Sequence, residues 1–500
     1  MPDYQIYRLR ITVLTPLHIG NGREMLNQYD YAIHDGRTWR INENALLDTQ
    51  SVEDPRVAAS LMRFKPAQLL LSQDFKEGNR YFRYILEGTP KSEAEGAVLR
   101  EQIKDVFDHP YVPGTTIKGA LRTALAWSLW GKKKLRPEIS KLRSKPKFAA
   151  SDYEHDLFGK DPNHDLLRAL QVSDSASLDA SALMLVNVRV LTGRGKPGSQ
   201  VEVEALRPQT VVESEVKLDT ALFSSWAKAR GLQLGNSEAL MDFVQIARQY
   251  SLEAIQREQI WARRLPNERV VRRFQTMLDY PLQSNQFFLQ VGWGGGWEQK
   301  TLGEHLKSSE DFMRAILKPE DANGWGVGRG HIPKNVQDFP TSRRIAMVYR
   351  RDAQGDITAE IPDSPLGWVL VSMLSDDLAI PETDWQPEFT EDDDYTPSAS
   401  VIDTPQEEKM PVVKPILKPL IENFEAIPQI GDRFKGEVFS QEGRALELFI
   451  PGLDDTVAAA YIGPDDNPTS KKYAEGDIVI CEVIGLKQIG RICQVQCRKV

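Results

Sequence analysis

The segment that decides the fold class of this chain is YVPGTTIKGALRTA, residues 111–124. It predicts a Pro-Gly turn that leads into a helix reaching roughly Trp130. Helix N-termini carry unpaired N–H groups and partial positive charge, so such a turn suits an anion such as phosphate. Lys118 and Arg122 are four residues apart, which puts both on one face of the helix beside that terminus. An ordinary capped helix with two solvated cations fits this segment equally well.

The segments around this helix predict a mixture of strands and helices. Apolar and polar residues alternate from Tyr7 to Val13, which predicts an opening strand. LHIGNG, residues 17–22, reads as a tight glycine-rich turn, and Asp35-Gly36 reads as a hairpin turn. Residues near 43–107 and 217–264 favour helices with loops. Strands that run into glycine loops and are interrupted by helices predict an α+β sheet.

Length and charge predict more than one domain. A chain of 500 residues is too long for a single core. Its net charge of −9 is unevenly spread, because residues 381–428 hold twelve acids and three bases. We predict a body over residues 1–380 with insertions at about 43–107, 131–165 and 217–278, an acidic, proline-rich linker over 381–428, and a small OB-like β-barrel over 429–500.

Cysteine content and hydropathy indicate the compartment. Cys481, Cys493 and Cys497 are too few for a disulfide framework and fit a reducing cytoplasm. Cys493 and Cys497 share one face of an alternating strand, which favours buried thiols over metal ligands. No apolar run has membrane-spanning length, and the first residues lack an apolar signal core. We therefore expect a cytoplasmic protein with no membrane partner.

Two stretches are strongly basic. Residues 131–150 carry eight Lys or Arg against the single acid Glu138. This stretch is compatible with a solvated loop and with a segment that docks on phosphates. Six arginines follow between Arg257 and Arg273, and ion pairs with Glu253, Glu258 and Glu268 are the simplest account of some of them.

Several motifs, taken in order, resemble one family. They are TPLHIGNG (15–22), VPGTTIKGALR (112–122), FG (158–159), VSDS (172–175), the glycine loop 292–296, Arg343-Arg344 and PLGW (365–368). Their order and spacing resemble the RAMP proteins of type III CRISPR effector complexes, and most of all the fifth subunit of the Csm (type III-A) complex. The resemblance covers roughly residues 4–372; the acidic linker and the barrel lie outside the usual family pattern, so their role is open.

The resemblance implies a fold and a role. The fold is a modified RNA-recognition-motif (ferredoxin-like) core that carries helical and basic insertions. The role, in antiviral defence, is to cap the three-prime end of the CRISPR guide RNA and to support its maturation and the assembly of the complex. The implied partners are the guide RNA, the target RNA, other RAMP subunits and host maturation nucleases.

The resemblance also implies a set of RNA-contacting residues. Glycine backbones allow a phosphate chain to approach closely, while Lys and Arg neutralise it without reading its sequence. A protein that holds guides must accept any spacer, so recognition of shape and charge is what it needs. The candidate RNA-binding residues are His18, Gly20, Gly22, Thr115, Thr116, Lys118, Gly119, Arg122, Gly294, Gly295, Gly296 and Arg343.

The alternative is a catalytic RAMP subunit that cuts target RNA, or processes guide RNA, through Asp30 or His18. Asp30 falls where the related backbone subunit carries the aspartate that helps to cut target RNA. A carboxylate there would orient a 2′-hydroxyl or a divalent metal for attack on the adjacent phosphate. An aspartate in an Asx-type turn is the simpler interpretation of the residue. We expect no cofactor, and a divalent metal only if the chain cuts target RNA.

Overall fold

The computed structural model describes residues 4–49, 64–192, 197–319, 324–328, 332–352 and 357–374, together with the strands and part of the turns between 420 and 499. The strands are β1 (Tyr4–Val13), β2 (Gly20–Leu26), β3 (Tyr31–His34), β4 (Arg37–Ile41), β5 (Phe82–Glu87), β6 (Val98–Gln102), β7 (Leu170–Val172), β8 (Leu183–Thr192), β9 (Pro197–Leu206), β10 (Val211–Asp219), β11 (Gln286–Gln290), β12 (Ser342–Arg351), β13 (Ile357–Pro365), β14 (Trp368–Leu374), β15 (Leu420–Ile421), β16 (Arg433–Glu442), β17 (Ala445–Phe449), β18 (Ala458–Ile462), β19 (Ile478–Ile489) and β20 (Ile492–Lys499). The helices are α1 (Glu43–Leu47), α2 (Gly114–Lys132), α3 (Ser151–Phe158), α4 (Ser225–Ala229), α5 (Ser237–Met241), α6 (Phe243–Ala262), α7 (Arg269–Asp279), α8 (Gly303–Leu306) and α9 (Glu310–Leu317).

The chain divides into two compact units. One consists of Met1–Asn42 and Leu70–Asp403, and the other of Glu43–Leu69 and Thr404–Val500. The predicted linker, 381–428, lies almost entirely outside the described residues. Among the described residues, no helix is long and apolar enough to cross a membrane.

The first unit contains a ferredoxin-like sheet. Its five antiparallel strands lie in the order β11-β14-β1-β10-β7. Along the chain, β1, α2, β7, β10, α6 and β14 follow the βαββαβ order of ferredoxin-like folds, and β14 lies beside β1 and antiparallel to it, as the fourth strand of that fold does. β11, which precedes β14 in the chain and pairs with its other side, is an additional strand at the edge of the sheet. The predicted α+β class and modified ferredoxin-like core are confirmed.

One face of this sheet is covered by α2 and α6. Leu9 and Ile11 of β1 are buried in the same core as Leu121 and Leu125 of α2 and Phe243 of α6. Full burial of a large aliphatic or aromatic side chain contributes about 1.5–3 kcal/mol. Apolar and polar residues therefore alternate along β1 because one face of the sheet packs against the core.

A second sheet in the same unit corrects one sequence expectation and confirms another. Its strands lie in the order β2-β6-β9-β8-β5-β4-β3, with β12 paired to β8 and to β13. Residues 43–107 were expected to be mainly helical, but they contain β5, which pairs with β4 and β8, and β6, which pairs with β2 and β9. All of these partners lie dozens of residues away, and partners this distant leave no local pattern in the sequence. The hairpin predicted at Asp35-Gly36 is present between β3 and β4.

The predicted glycine turn over residues 17–22 is also corrected. The chain crosses between the two sheets over residues 14–19, and Gly20 is already the first residue of β2. The pairing of β2 with β6 is irregular between Gly20 and Glu24. Gly22 lies there with a φ of +87°, a conformation that glycine adopts without strain. The glycines thus form an irregular strand rather than a turn.

The start of α2 is bound to the segment after β7. The Val112 N–H donates to Ser175 Oγ at 2.9 Å, and the Ser175 N–H donates to the Val112 carbonyl at 3.0 Å. The Gly114 N–H donates to Asp174 Oδ1 at 2.8 Å. A Cβ on Gly114 would lie 2.2 Å from the Val172 carbonyl oxygen, so only glycine fits. Two motifs that are far apart in the sequence are therefore one structural joint.

The C-terminal strands of the second unit form the predicted barrel. β16, β17, β18, β20 and β19 pair in that order, and β19 pairs back to β16, which closes the sheet. β18 and β20 pair in parallel, whereas the other neighbouring strands of the closed sheet pair antiparallel. Cys481 and Cys497 are buried free thiols, as predicted, and the side chain of Cys493 lies outside the described residues.

Two glycines of α2 provide a matched test of the joint. Gly114→Ala should lower the free energy of unfolding by about 1–3 kcal/mol, because its Cβ would overlap the β7 backbone. Gly119→Ala should raise it by about 0.5–1 kcal/mol, because no atom lies within 4 Å of the added Cβ and alanine favours helix. Denaturant unfolding followed by circular dichroism measures both. Equal effects of the two substitutions would contradict this account.

Candidate nucleic-acid interface

Residues 15–19 of the TPLHIGNG motif lie in the crossing segment, residues 14–19, and this segment forms one side of the candidate site. The Trp293 N–H donates to the His18 carbonyl at 2.9 Å. Leu17 and Leu206 exchange backbone hydrogen bonds at 3.0 and 2.9 Å. These bonds place β2, the glycine loop after β11 and the end of β9 side by side.

A cavity of about 730 Å³ lies at this junction. Eight of the twelve predicted residues line it: His18, Gly20, Gly22, Thr115, Thr116, Gly119, Arg122 and Gly295. The structure therefore brings three separate sequence motifs to one site. Among the other lining residues, which the sequence did not single out, are five charged side chains and one aromatic: Arg23, Glu24, Arg100, Glu101, Lys300 and Trp293.

A second cavity of about 460 Å³ adjoins the first. The two share Trp293, Gly295 and Lys300 in their lining. Three more predicted residues line the second cavity: Gly294, Gly296 and Arg343. We call the two cavities together the groove. Lys118 is the one predicted residue that lines neither part of it.

The larger cavity has an excess of positive charge. Four cations line it, Arg23, Arg100, Arg122 and Lys300, against two carboxylates, Glu24 and Glu101. A concave surface of this kind concentrates the potential that attracts a polyanion. Isolated cations in strands and turns form no sequence pattern, which is why Arg23, Arg100 and Lys300 could not be predicted.

Trp293 lies where the two cavities meet, and two arginine side chains lie against its ring. The guanidinium of Arg344 lies 4.4 Å from the centre of its ring, and that of Arg100 lies 5.4 Å away. The Arg344 side chain also donates to the Trp293 carbonyl at 3.3 Å. Stacking on an aromatic ring fixes a guanidinium while its N–H groups stay available. Partial burial, and then the charge of Arg344, lower the pKa of Lys300.

The two cations of α2 have partners within the chain. The Lys118 ammonium donates to the Leu167 carbonyl at 2.9 Å, and burial lowers its pKa. Arg122 forms an ion pair with Glu154 at 2.9 Å and lies over the Phe158 ring at 4.5 Å. The predicted shared face exists, but it is turned toward residues 154–167, and Arg122 alone reaches the cavity.

The N-terminus of α2 already has its anion. Asp174 Oδ1 accepts the Gly114 N–H, so a carboxylate of the chain occupies the position that the sequence suggested for a phosphate. Thr115 and Thr116, in the first turn, line the cavity from the side of the helix. In the first turn of α2, the hydroxyls rather than the helix terminus are therefore the groups that face a ligand.

The glycine loop packs partly against its own chain. A Cβ on Gly292 would lie 2.4 Å from the His18 carbonyl oxygen, and one on Gly294 would lie 2.5 Å from the Leu366 carbonyl oxygen. Their absent side chains make room for the protein backbone. At Gly296, by contrast, the nearest atom to an added Cβ is Arg344 Nη1 at 3.9 Å, so this glycine has open space.

Arg343 forms a structural ion pair at the edge of the groove. Its Nε donates to Glu258 Oε2 at 2.7 Å, and its Nη1 donates to the Pro340 carbonyl at 2.7 Å. Although burial opposes it, the Glu258 carboxylate keeps the pKa of Arg343 above its ordinary value. The neighbouring arginines form ion pairs too, but mainly with more distant acids than the sequence suggested: Arg257 with Glu304, and Arg269 and Arg273 with Asp363.

The basic stretch 131–150 is neutralised in part by α3. Lys141 pairs with Asp156 at 3.2 Å, and Arg143 pairs with Asp152 at 2.6 Å. These acids lie on the helix that follows the stretch, so local charge pairing explains part of its composition.

His18 is a buried hydrogen-bonding residue. It is 3% exposed, and its Nδ1–H donates to the Glu204 carbonyl at 2.6 Å. Burial lowers its pKa to about 4, despite this bond, and the charges of Arg100 and Lys104 act in the same direction. A histidine that is neutral at pH 7 is not a general acid there. The geometry thus favours a structural role over catalysis.

Asp30 is held in a turn away from the groove. Its Oδ2 accepts the Leu26 N–H at 2.8 Å, and its Oδ1 lies 3.5 Å from Arg40 Nη2. Arg40 also donates to the Asp30 carbonyl oxygen. Among the described residues, no cluster of His, Cys, Asp or Glu is placed to hold a metal ion. The side chain thus stabilises a turn, but it binds the N–H four residues earlier rather than two residues later, so the turn is not the Asx type that the sequence suggested.

His18 should make stability depend on pH. Because its folded pKa of about 4 lies below the ordinary 6.5, the unfolded state takes up the proton first as the pH falls. The free energy of unfolding should therefore drop by about 2 kcal/mol between pH 7 and pH 5 from this group alone. His18→Asn keeps a donor at the Nδ1 position and should lose that part of the dependence. Identical pH profiles in urea unfolding would contradict the assignment.

Comparisons with known proteins identify the family of this chain. The chain is 24% identical over 258 residues to the CRISPR system Cms protein Csm5 of Streptococcus thermophilus, covering 44% of this chain and 65% of that relative, just under two thirds of its length. It is 22% identical over 400 residues to the protein of that name from Methanocaldococcus jannaschii, covering 73% of this chain and 88% of that relative. A chain of the cryo-EM structure of a type III-A Csm–crRNA–target RNA ternary complex shares the fold, with a TM-score of 0.50, 20% identity and coverage of 73% of this chain and all of that one. The RAMP superfamily model matches residues 10–299, which include β1, β2, α2 and the glycine loop. The chain belongs to the RAMP superfamily.

Proposed function

We propose that this chain is the guide-binding end subunit of a type III-A (Csm-type) CRISPR complex and that the groove holds the guide RNA. The observation that carries the proposal is the convergence of three family motifs and four cations on one cavity. The names of the relatives and the complex in which the structural neighbour was solved support the same role.

The chemistry of the groove suits an RNA backbone of any sequence. Guanidinium and ammonium groups neutralise phosphates, and threonine hydroxyls and glycine backbones contact sugar and phosphate oxygens. In a guide complex the sequence is read by base pairing with the target, so the protein needs only shape and charge. The proposal extends to the partners: target RNA, neighbouring RAMP subunits, and nucleases that trim the guide beyond the part that this subunit covers.

Binding should depend on salt through the cations of the groove. Arg100→Gln and Lys300→Gln should each weaken guide RNA binding and reduce the slope of log K against log salt by about 0.7, the value for one phosphate contact on a single strand. Filter binding of a guide-type RNA to the full chain at several salt concentrations measures both quantities.

Lys118→Gln is the matched control for these variants. It removes one positive charge from α2, but the ammonium is bound to the Leu167 carbonyl and does not line the groove. Its slope should equal that of the unmodified chain. If Lys118→Gln alters the slope and Lys300→Gln does not, the groove is not the binding site.

The catalytic alternative is not favoured, and Asp30 tests it. Asp30→Asn keeps an oxygen acceptor for the Leu26 N–H but removes the carboxylate, so it should preserve both the fold and every cut made by the assembled complex. Asp30→Ala loses the bond and should destabilise the chain by about 1 kcal/mol without changing the cuts. Mapping of target and guide ends at nucleotide resolution is the measurement. Loss of a cut in Asp30→Asn, with assembly intact, would establish a catalytic role.

A further inference from the structure

The loop between β6 and α2 presents two large apolar side chains to solvent. Val106 is 85% exposed and Phe107 is 75% exposed, more than any other large apolar residue that the structure describes. Single exposed apolar residues are ordinary on protein surfaces. Two adjacent ones at a loop tip form a compact apolar projection, which is typical of an interaction site.

The loop is held in one conformation by Asp105. Its Oδ1 accepts the N–H groups of Phe107 at 2.9 Å and His109 at 3.0 Å. Its own N–H donates to the His109 carbonyl at 2.9 Å, and its Oδ2 accepts from the Ser177 hydroxyl at 3.2 Å. These bonds hold the loop in a conformation in which Val106 and Phe107 stay exposed to solvent.

A second anchor ties the other side of the tip to β5. Arg83 donates to both carboxylate oxygens of Asp108, at 2.6 and 2.8 Å. Asp108 has a φ of +65°, which the turn requires and aspartate tolerates. The apolar tip is therefore pre-organised, so little conformational entropy is lost when a partner binds it.

We propose that Val106 and Phe107 form a docking knob that inserts into an apolar pocket with a basic rim on a neighbouring protein subunit of the complex. The inference rests on the proposed function, because it requires that the chain work inside a multi-subunit assembly. Aromatic side chains that fill a pocket are the usual energetic centres of such interfaces.

The charges around the knob favour a protein over RNA as its partner. Asp105 and Asp108 flank the two apolar residues, and Asp108 is paired with Arg83, so these two charges offset each other. Although desolvation opposes it, the N–H groups of His109 and Phe107 keep the pKa of Asp105 below its ordinary value. The Asp105 carboxylate beside the tip repels phosphates, whereas a rim of Lys or Arg would complement it.

The docking position is fixed relative to the groove. Phe107 lies seven residues before Gly114, the first residue of α2, and the first turn of α2 lines the cavity. Insertion of the knob would therefore place the guide-binding groove at a defined distance from the next subunit. This is what a filament that carries one continuous RNA requires.

Photo-crosslinking distinguishes the possible partners directly. The photoreactive residue p-benzoyl-phenylalanine replaces Phe107 in the full chain, the complex is assembled with guide RNA, and the sample is irradiated. We expect a crosslink to a protein subunit. Trp226, an aromatic residue that is 49% exposed on α4, receives the same replacement as the control and should give no crosslink to that subunit. A crosslink from position 107 to RNA, or none at all, overturns the proposal.

Substitution at the knob measures its contribution. Val106→Ser with Phe107→Ser should weaken association with the other subunits by about 30-fold or more, as expected for a hot spot. Its melting temperature and its affinity for guide RNA should equal those of the unmodified chain, and Trp226→Ser should leave association unchanged. Unchanged association in the double variant, with guide RNA still bound, overturns the knob alone. An unmodified chain that neither binds guide RNA nor enters the complex overturns the proposed function as well.

Discussion

The architecture of the first unit depends on the backbone hydrogen bonds of the crossing segment. Within these six residues, the Pro16 carbonyl accepts the Gly367 N–H at 2.9 Å and Thr15 Oγ1 accepts the Trp368 N–H at 2.9 Å. The Ile19 N–H donates to the Gln102 side chain at 2.8 Å. Both sheets, the glycine loop and β14 are thus joined through one short run of chain. The polar groups of this buried segment are paired, as buried backbone requires. The groove lies beside the segment.

Some of the groups near the groove already bind or pack against other parts of the chain, and this determines which groups can contact a ligand. Asp174 occupies the start of α2, Gly292 and Gly294 make room for neighbouring backbone, and Arg343 is bound to Glu258. The groups left for a ligand are side chains on flexible stems, threonine hydroxyls and a few open glycines. Such a surface follows a phosphate chain by adjusting its rotamers, and its attraction is screened by salt. It is suited to retention of an RNA rather than to selection among sequences.

The sequence predicted features that depend on neighbouring residues, and it missed features that depend on contacts between distant segments. The helix from Gly114 and the hairpin at Asp35-Gly36 depend on turn chemistry and periodicity within a few residues, and both are present. β5 and β6 were missed because the strands that they pair with lie dozens of residues away, both earlier and later in the chain. The motifs that the sequence singled out do meet at one groove, but the contacts of single residues differ from those that the sequence suggested. Lys118 was chosen for its spacing and is bound to Leu167, whereas Lys300, which has no motif around it, lines both cavities.

The position of β14 in the sheet has a consequence for how the protein is made. β14 lies between β1 and β11, and Val13 pairs with Val369, 356 residues later in the chain. At about 5–20 residues per second, the ribosome takes on the order of 20–70 s to supply that partner. Until then β1 has an unpaired edge on its β14 side, and the ferredoxin-like sheet stays open. The nascent chain must therefore be protected from edge-to-edge association during most of its synthesis, and its first 300 residues do not amount to a finished folding unit.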